Sequence, residues 1–93
     1  MKVKYKSFWV YDTDGISIFF PALSGCCTCG NSDADSKLMA QDALKCWIDC
    51  RINDFREALP EDLTTLELHK WIKNYQLSFG KKKWKVKTVS VEV

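Results

Sequence analysis

The stretch DGISIFFPALSGCCTCG, residues 14–30, decides how the first half of this chain folds. Residues 16–20, ISIFF, alternate and are rich in strand-forming side chains, so they predict a short β-strand. Pro21 ends that strand because proline has no amide hydrogen to donate to a neighbouring strand. A corner follows at 22–25, and residues 26–29 predict another short strand.

The residues before this stretch complete a meander. Residues 2–11, KVKYKSFWVY, also alternate and predict a first strand. A tight turn is predicted from Asp12 to Gly15, since glycine tolerates a positive φ and the aspartates of the turn can bond nearby amides. Consecutive strands joined by such short connections predict an antiparallel sheet.

A long helix is predicted from about residue 33 to about residue 56. Ser32 or Asn31 can cap it, and the acidic residues Asp33 and Asp35 suit its first turn. Its apolar side chains cover an arc of roughly 200°, wider than the stripe of about 100° that covers one face of a sheet. We therefore expect this helix to pack against the sheet and against a further element.

A second helix and a last strand are predicted in the remaining chain. The helix runs from about residue 61 to about residue 74, after Pro60, which suits a first helical position. The strand is 83–93, KWKVKTVSVEV, in which the apolar phase switches near Thr88 and predicts a β-bulge or bend. The order strand-strand-strand-helix-helix-strand predicts an α+β fold in a single domain, 1–93, with an antiparallel three-stranded meander, a C-terminal strand and the long helix packed on the sheet.

Composition narrows the class of protein. The chain has 93 residues, of which 46% are hydrophobic and 28% charged, with a net charge of +2. No apolar stretch approaches the roughly 20 residues that span a bilayer, and no apolar block of a signal peptide follows the N-terminus. We expect a cytoplasmic protein, in which the 5 cysteines are reduced and act as small buried apolar residues.

The cysteines raise the question of a metal or redox site. Cys26 and Cys29 form a C-x-x-C pair, and Cys46 and Cys50 a C-x-x-x-C pair on one edge of the long helix. Four thiolates could hold zinc, but structural zinc pairs usually lie on turns rather than on a strand and a helix. A redox C-x-x-C opens a helix, whereas this one lies on a predicted strand. The pattern favours neither a metal nor a cofactor.

Catalysis is also not indicated. Asp12 and Asp14 could imitate the carboxylates of a metal-dependent nuclease, but their place in a turn is the simpler explanation. His69, the single histidine, lies within the second predicted helix and is interpreted as a surface residue. We assign no catalytic residue.

Taken together, residues 12–30 resemble the signature of HicB-like antitoxins. That signature is an acidic turn with glycine, a strand ending in Phe-Pro, a Gly-Cys corner and a short strand ending in glycine. The resemblance covers roughly residues 5–50 and extends into the long helix. The matching positions are Gly15, Phe20, Pro21, Leu23, Gly25, Cys26, Thr28, Gly30, Ala40, Ala43, Leu44 and Trp47.

The resemblance implies a partial ribonuclease H fold without catalytic carboxylates. It also implies a protein that binds and silences a HicA-like toxin, a small basic RNA-cleaving protein, and it gives Cys26 an ordinary corner position with no metal. Two helix positions depart from the family pattern, since Asp33 and Lys37 replace apolar residues. Because the sequence stops at Val93, a C-terminal DNA-binding segment and specific DNA binding are not expected.

Two other functions remain open. The chain could be a solo HicB-like interaction or structural protein of a phage or mobile element, without a toxin. It could also bind nucleic acid weakly through its lysine-rich ends, Lys2 to Lys6 and Lys81 to Lys87. Lysines on a solvated or edge strand are the simpler interpretation of those runs.

A homodimer is expected through the outer face of the first hairpin. The family pattern places Trp9, Ile18 and Phe20 toward the long helix, so that Phe8, Val10 and Phe19 point away from it and form an apolar patch. These three, with Asp12 and Asp14, are the candidates for binding a partner or a second copy. The alternative is that the second helix, around Leu63 to Ile72, covers this face.

Overall fold

The computed structural model describes residues 2–92, in which four strands form one antiparallel sheet. The strands are β1 (Lys2–Asp12), β2 (Gly15–Phe19), β3 (Cys27–Gly30) and β4 (Lys83–Glu92), in the order β3-β2-β1-β4. The helices are α1 (Asp33–Asp49), which continues into a π-helical turn (Cys50–Asp54), and α2 (Thr65–Phe79). The predicted α+β class is confirmed. Val93, the last residue of the predicted strand, lies outside the described residues.

The β1–β2 hairpin follows the predicted turn. The two strands pair from Phe8 opposite Phe19 to Asp12 opposite Gly15. Gly15 has a φ of 142°, and a Cβ atom built on it would lie 2.9 Å from the carbonyl oxygen of Gly30. Glycine is therefore required both by the backbone conformation and by the close approach of β3.

The main core lies between the sheet and α1. Four residues of α1 at intervals of four are buried against the sheet, namely Ser36, Ala40, Leu44 and Ile48. Opposite them, Trp9 is 1% exposed and its indole Nε1 donates to Ser7 Oγ at 2.8 Å. Ser7 Oγ in turn donates to the carbonyl oxygen of Lys87 at 2.6 Å, so a buried polar chain ties β1 to β4.

The long helix ends earlier than predicted. α1 stops at Asp49, and the next turn widens so that Phe55 N–H donates to the carbonyl of Cys50, five residues back, at 3.1 Å. Arg56 then adopts a positive φ of 53°, and Glu57 N–H closes the end on Arg51 at 3.0 Å. The sequence has no glycine here to signal this left-handed ending.

The predicted bulge in β4 is wrong. The strand pairs with β1 in one uninterrupted register from Lys83 opposite Tyr11 to Glu92 opposite Lys2. The apolar phase switches because β4 serves two cores in turn. Trp84 and Val86 lie on the face that carries Phe8, whereas Val89 and Val91 are buried in the α1 core.

A second core lies on the opposite face of the sheet, under α2. Phe8 and Val10 of β1 are buried against Leu68 and Ile72 of α2. The sheet is thus covered on both faces, and the described chain has three layers rather than the two predicted. This arrangement confirms the alternative in which the second helix covers the outer face of the hairpin.

The connection before α2 is held to β1 by polar contacts. Lys6 N–H donates to Asp62 Oδ2 at 3.0 Å, Lys6 Nζ donates to the carbonyl of Leu63 at 2.8 Å, and the Tyr5 hydroxyl donates to the carbonyl of Pro60. Pro60 therefore belongs to this connection and does not open the helix as predicted. The helix begins at Thr65, four residues after the predicted start at about residue 61, because Thr64 and Glu67 form a reciprocal capping box.

Removing that cap should weaken the docking of α2. Thr64 Oγ1 accepts from Glu67 N–H at 3.2 Å, while Glu67 Oε1 accepts from Thr64 N–H at 2.9 Å. We expect Thr64→Ala to lower the free energy of unfolding by about 1 kcal/mol in urea denaturation, since the Glu67 N–H at the start of the helix loses its side-chain acceptor. Thr65→Ala is the matched control and should change stability little. Equal losses in both variants would contradict the cap.

Candidate partner-binding surfaces

The predicted apolar patch of Phe8, Val10 and Phe19 is not an open surface. Phe8 is 1% exposed and Val10 is 3% exposed, and Phe19 is half-buried against Trp71 and Tyr75 of α2. The interpretation of these side chains as an exposed interaction face is therefore wrong. A homodimer stays a prediction, but it needs another surface.

The two turn aspartates have different environments. Asp12 Oδ2 accepts from Lys82 Nζ at 2.6 Å, and its Oδ1 accepts from Thr13 N–H at 2.8 Å. The hydrogen bond from Lys82 is the main reason that the pKa of Asp12 is lowered. Asp12 thus joins the hairpin turn to the segment before β4, whereas Asp14 is exposed. As binding residues, both stay predictions.

The family-motif residues come together at the junction of the corner and α1. The corner is closed by backbone bonds, including Phe20 N–H to the carbonyl of Cys26 at 3.1 Å. Trp47 Nε1 donates to the carbonyl of Ser24 at 3.0 Å, and Cys26 Sγ lies 3.9 Å from the carbonyl of Ala43. The motif residues are therefore those that close the corner and pack α1 against the meander of β1, β2 and β3. Of the remaining motif residues, Pro21 and Gly25 lie at the corner, Ala40 and Leu44 lie in the α1 core, and Gly30 ends β3 against Ser36.

Four cysteines line one open groove between the corner and the end of α1. They are Cys26, Cys27, Cys46 and Cys50, and Trp47 and Phe55 share the groove. Cys27, Cys29 and Cys46 are exposed, so the predicted burial of the cysteines is wrong at these three positions. Burial raises the pKa of the Cys26 thiol to about 11 and also raises the pKa of Cys50, which keeps both sulfurs protonated and poor as nucleophiles or ligands. Within residues 2–92, no three His, Cys, Asp or Glu side chains are grouped so as to hold a metal ion. Absence of a bound metal remains a prediction.

The lysines of β4 lie over aromatic rings on the α1 side of the sheet. Lys83 and Lys85 approach the ring of Tyr11 to 5.6 and 5.4 Å, and Lys87 lies 4.0 Å from the centre of the Trp9 ring. Asp33 accepts from the Tyr11 hydroxyl at 2.8 Å and pairs with Lys87 at 3.7 Å. Partial burial and the Asp33 carboxylate raise the pKa of Tyr11 to about 12.

This network gives a structural role to Asp33, one of the two residues that depart from the HicB-like pattern, and the other, Lys37, lies nearby. Asp33 holds the Tyr11 hydroxyl and Lys87, while Lys37 lines the groove between α1 and β4 with Gln41. The lysine side chains already occupy the ring faces, so bases could stack there only by displacing them.

The outer surface of α1 and the π-helical turn is acidic and apolar. Its carboxylates are those of Asp35, Asp42, Asp49 and Asp54, with Lys45 among them. Its exposed apolar side chains are Leu38 (67% exposed), Met39 (39%), Ile52 (37%) and Phe55 (68%). We call this the α1 outer face. An exposed apolar patch with an acidic rim is typical of a surface that binds another protein.

Sequence reasoning missed the α1 outer face. The signal was present in the width of the apolar arc, which indicated a second contact for the helix beyond the sheet. In the structure only the four-residue-spaced stripe is buried, and Met39 and Cys46 stay exposed. The surplus apolar surface thus faces outward. No helix within residues 2–92 has both the length and the apolar character needed to cross a membrane.

Three solved structures share this fold. A chain in the HicA3 and HicB3 toxin-antitoxin complex is 23% identical, with a TM-score of 0.69, over 98% of this chain and 100% of that one. A chain in a toxin-antitoxin complex from Streptococcus pneumoniae is 18% identical, with a TM-score of 0.78, over 99% of this chain and 70% of that one. The HicB3 antitoxin is 22% identical, with a TM-score of 0.65, over 97% of this chain and 62% of the antitoxin.

The similarity to these solved structures establishes the fold of the chain. No family model matches the sequence, and no curated protein matches it. At identities below 25%, likeness to a solved structure establishes fold, and function must be argued from the surfaces of this chain.

Proposed function

We propose that this chain is a non-catalytic, antitoxin-like module that binds and neutralises a small, basic, HicA-like toxin. The observation that carries the proposal is that the fold matches components of toxin–antitoxin structures over nearly the whole chain. The HicB-like motif of residues 12–30 supports the same family from the sequence. Antitoxin function requires a protein-binding surface rather than a reaction centre, and the α1 outer face has that character.

The α1 outer face suits a basic partner. Carboxylates at 35, 42 and 49 follow one another at intervals of seven residues and so lie along one side of α1. Leu38 and Phe55, each about two-thirds exposed, supply apolar area beside them. A basic toxin would be steered by the carboxylates and held by the burial of these side chains.

The turn aspartates support a role without catalysis. The Asp12 carboxylate already accepts hydrogen bonds from Lys82 and Thr13, so it does not form an open carboxylate pair with Asp14.

The alternative function is weak nucleic-acid binding through the lysine-rich ends of the chain. If neither a toxin nor any other protein binds, salt-sensitive retention of arbitrary nucleic acid would favour this alternative.

Co-expression with a HicA-like toxin encoded beside this chain tests the proposal. We expect the two proteins to co-purify and the toxin's RNA cleavage to be suppressed. Charge reversal by Asp42→Lys with Asp49→Lys should weaken the complex at least about tenfold, because like charges would then face a basic partner. Failure of the wild type to bind the toxin would overturn the function.

A matched control separates the surface from the net charge. Glu61→Lys with Asn74→Lys and Ser78→Lys makes the same change of charge at exposed residues in the connection before α2 and on α2. The control should leave toxin affinity within about twofold, since surface charges away from an interface act mainly through long-range steering. Equal weakening by both charge variants would remove the α1 outer face from the proposal while leaving the function standing.

A further inference from the structure

β4 presents a long free edge of the sheet. The strand order places β1 on one side of β4 and no strand of residues 2–92 on the other. β4 has 10 residues, whereas β3 at the opposite edge has 4. A long edge is a template for a further strand, because alternate backbone amides and carbonyls along it lack a ladder partner.

The direction of the free groups follows from β1. Lys6 N–H points away from β4, since it donates to Asp62 at 3.0 Å. Lys6 is opposite Thr88, and because Lys6 N–H points away from β4 the two form a non-hydrogen-bonded pair. In such a pair of an antiparallel ladder, the N–H and C=O groups of each residue point away from the other strand. Thr88 therefore directs its N–H and C=O to the free edge, and with the period of two, so do Trp84, Val86 and Ser90.

One contact supports this assignment. The carbonyl of Ser90 is approached by Gln41 Nε2 at 3.5 Å, from α1 rather than from β1. At this length the contact is weak, and a carbonyl oxygen has a second lone pair for another donor. The edge also has apolar flanks on its α2 side, where Trp84 is 40% exposed and Val86 is 39% exposed.

We infer that the free edge of β4 binds the β4 strand of a second copy of this chain, antiparallel, with the two-fold axis at Thr88. This pairing joins two four-stranded sheets into one. Each Thr88 would exchange two N–H···O bonds with its counterpart, and Val86 would pair with Ser90 of the second copy in the same way. The inference does not depend on the proposed toxin.

The charge pattern of β4 permits pairing with a second copy and favours this register. With the axis at Thr88, Lys87 lies opposite Val89 and Lys85 opposite Val91, so no lysine directly faces a lysine. Moving the axis by one residue to Lys87 would set the two Lys87 side chains against each other, which is destabilising at about 5 Å between Cβ atoms. Axes at residues before Lys87 likewise set lysine against lysine, so the axis at Thr88 gives the longest self-pairing of β4 that avoids such contacts.

Complementary charges at the axis test the pairing. Thr88 is exposed, so its replacement should leave the fold intact. Sedimentation equilibrium should show a wild-type dimer at high micromolar concentration. Thr88→Lys alone and Thr88→Glu alone should each raise the dimer dissociation constant at least tenfold, while a mixture of the two variants should associate at least as tightly as the wild type.

The control lies on the other edge of the sheet. Cys29 is exposed on the same face as Thr88, on β3, so Cys29→Lys makes a comparable addition of charge without touching β4. It should remain dimeric. Thr88→Pro, which removes an outward N–H and is tolerated on an edge strand, should be a folded monomer by circular dichroism. A monomeric wild type, or dimers that survive in both single charge variants, would overturn the inference.

Discussion

Replacing Phe8 with alanine should lower the free energy of unfolding by about 3–5 kcal/mol, the range for large aromatic residues removed from a core. Phe8 is 1% exposed at the centre of the second core. Its ring contacts those of Trp71, Tyr75 and Trp84 at centroid distances of 5.4, 5.2 and 5.5 Å. Because those rings belong to α2 and β4, the cavity would loosen both elements at once.

Urea denaturation and near-ultraviolet circular dichroism measure this effect. We expect the aromatic dichroism to weaken along with stability, since the ring contacts of Phe8 with Phe19, Trp71, Tyr75 and Trp84 disappear. Phe55→Ala removes the same side chain from a position that is 68% exposed and should change stability by no more than about 0.5 kcal/mol. A small loss in Phe8→Ala would mean that α2 does not cover this face, and would return Phe8 to the candidates for an open interface.

Gly30→Ala should cost about 3 kcal/mol or more, at the upper end of the range for overpacked sites. A Cβ atom at Gly30 would lie 2.3 Å from Ser36 Oγ, 2.7 Å from Ser36 Cα and 2.8 Å from Ser36 N. The side-chain oxygen could move, but the backbone of Ser36 is fixed by its N–H bond to the carbonyl of Ser32 at 2.8 Å. The first turn of α1 would have to move away from β3.

Gly25→Ala is the comparison for this variant. Gly25 has a φ of 77°, and no heavy atom lies within 4 Å of a Cβ atom built there. Alanine should therefore cost only the strain of the left-handed conformation, roughly 1–2 kcal/mol. Thermal or urea unfolding of the two variants would contradict the close packing of β3 on α1 if Gly30→Ala were the milder change.

Local chemistry was sufficient to predict the meander and the start of α1. The turn glycine, the proline after β2 and the cap at Ser32 each act within a few residues, and the structure contains all three features. The class of fold followed from their order. The HicB-like motif was readable for the same reason, since its residues hold the corner against α1.

The errors came from contacts between distant segments. Pro60 is a good first residue for a helix, but Thr64 with Glu67 offers a reciprocal cap, and Asp62 is occupied by the backbone of Lys6. The phase switch in β4 is the same in a bulged strand and in a regular strand that serves two cores. Only the position of α2 distinguishes these cases, and that position depends on rings contributed by β1, β2 and β4 together.

The α1 outer face shows a further limit. Periodicity indicated that the helix has more apolar surface than the sheet requires, but it could not say whether that surface is buried. The π-helical turn after Asp49 also carries Asp54 and Phe55 to positions that an extended regular helix would not give them. Both features depend on how the helix ends, which no glycine signals.

The pairing of β1 with β4 has a consequence for the synthesis of this protein. It joins residues 2–11 to residues 83–92, so the central strand of the sheet waits for a partner that is translated last among the described elements. At 5–20 residues per second the delay is roughly 4–18 s, and contacts of such long sequence separation also slow folding itself. Throughout that interval residues 2–7 of β1, which pair only with β4, have no strand partner, and an unpaired strand edge of this kind is prone to aggregation.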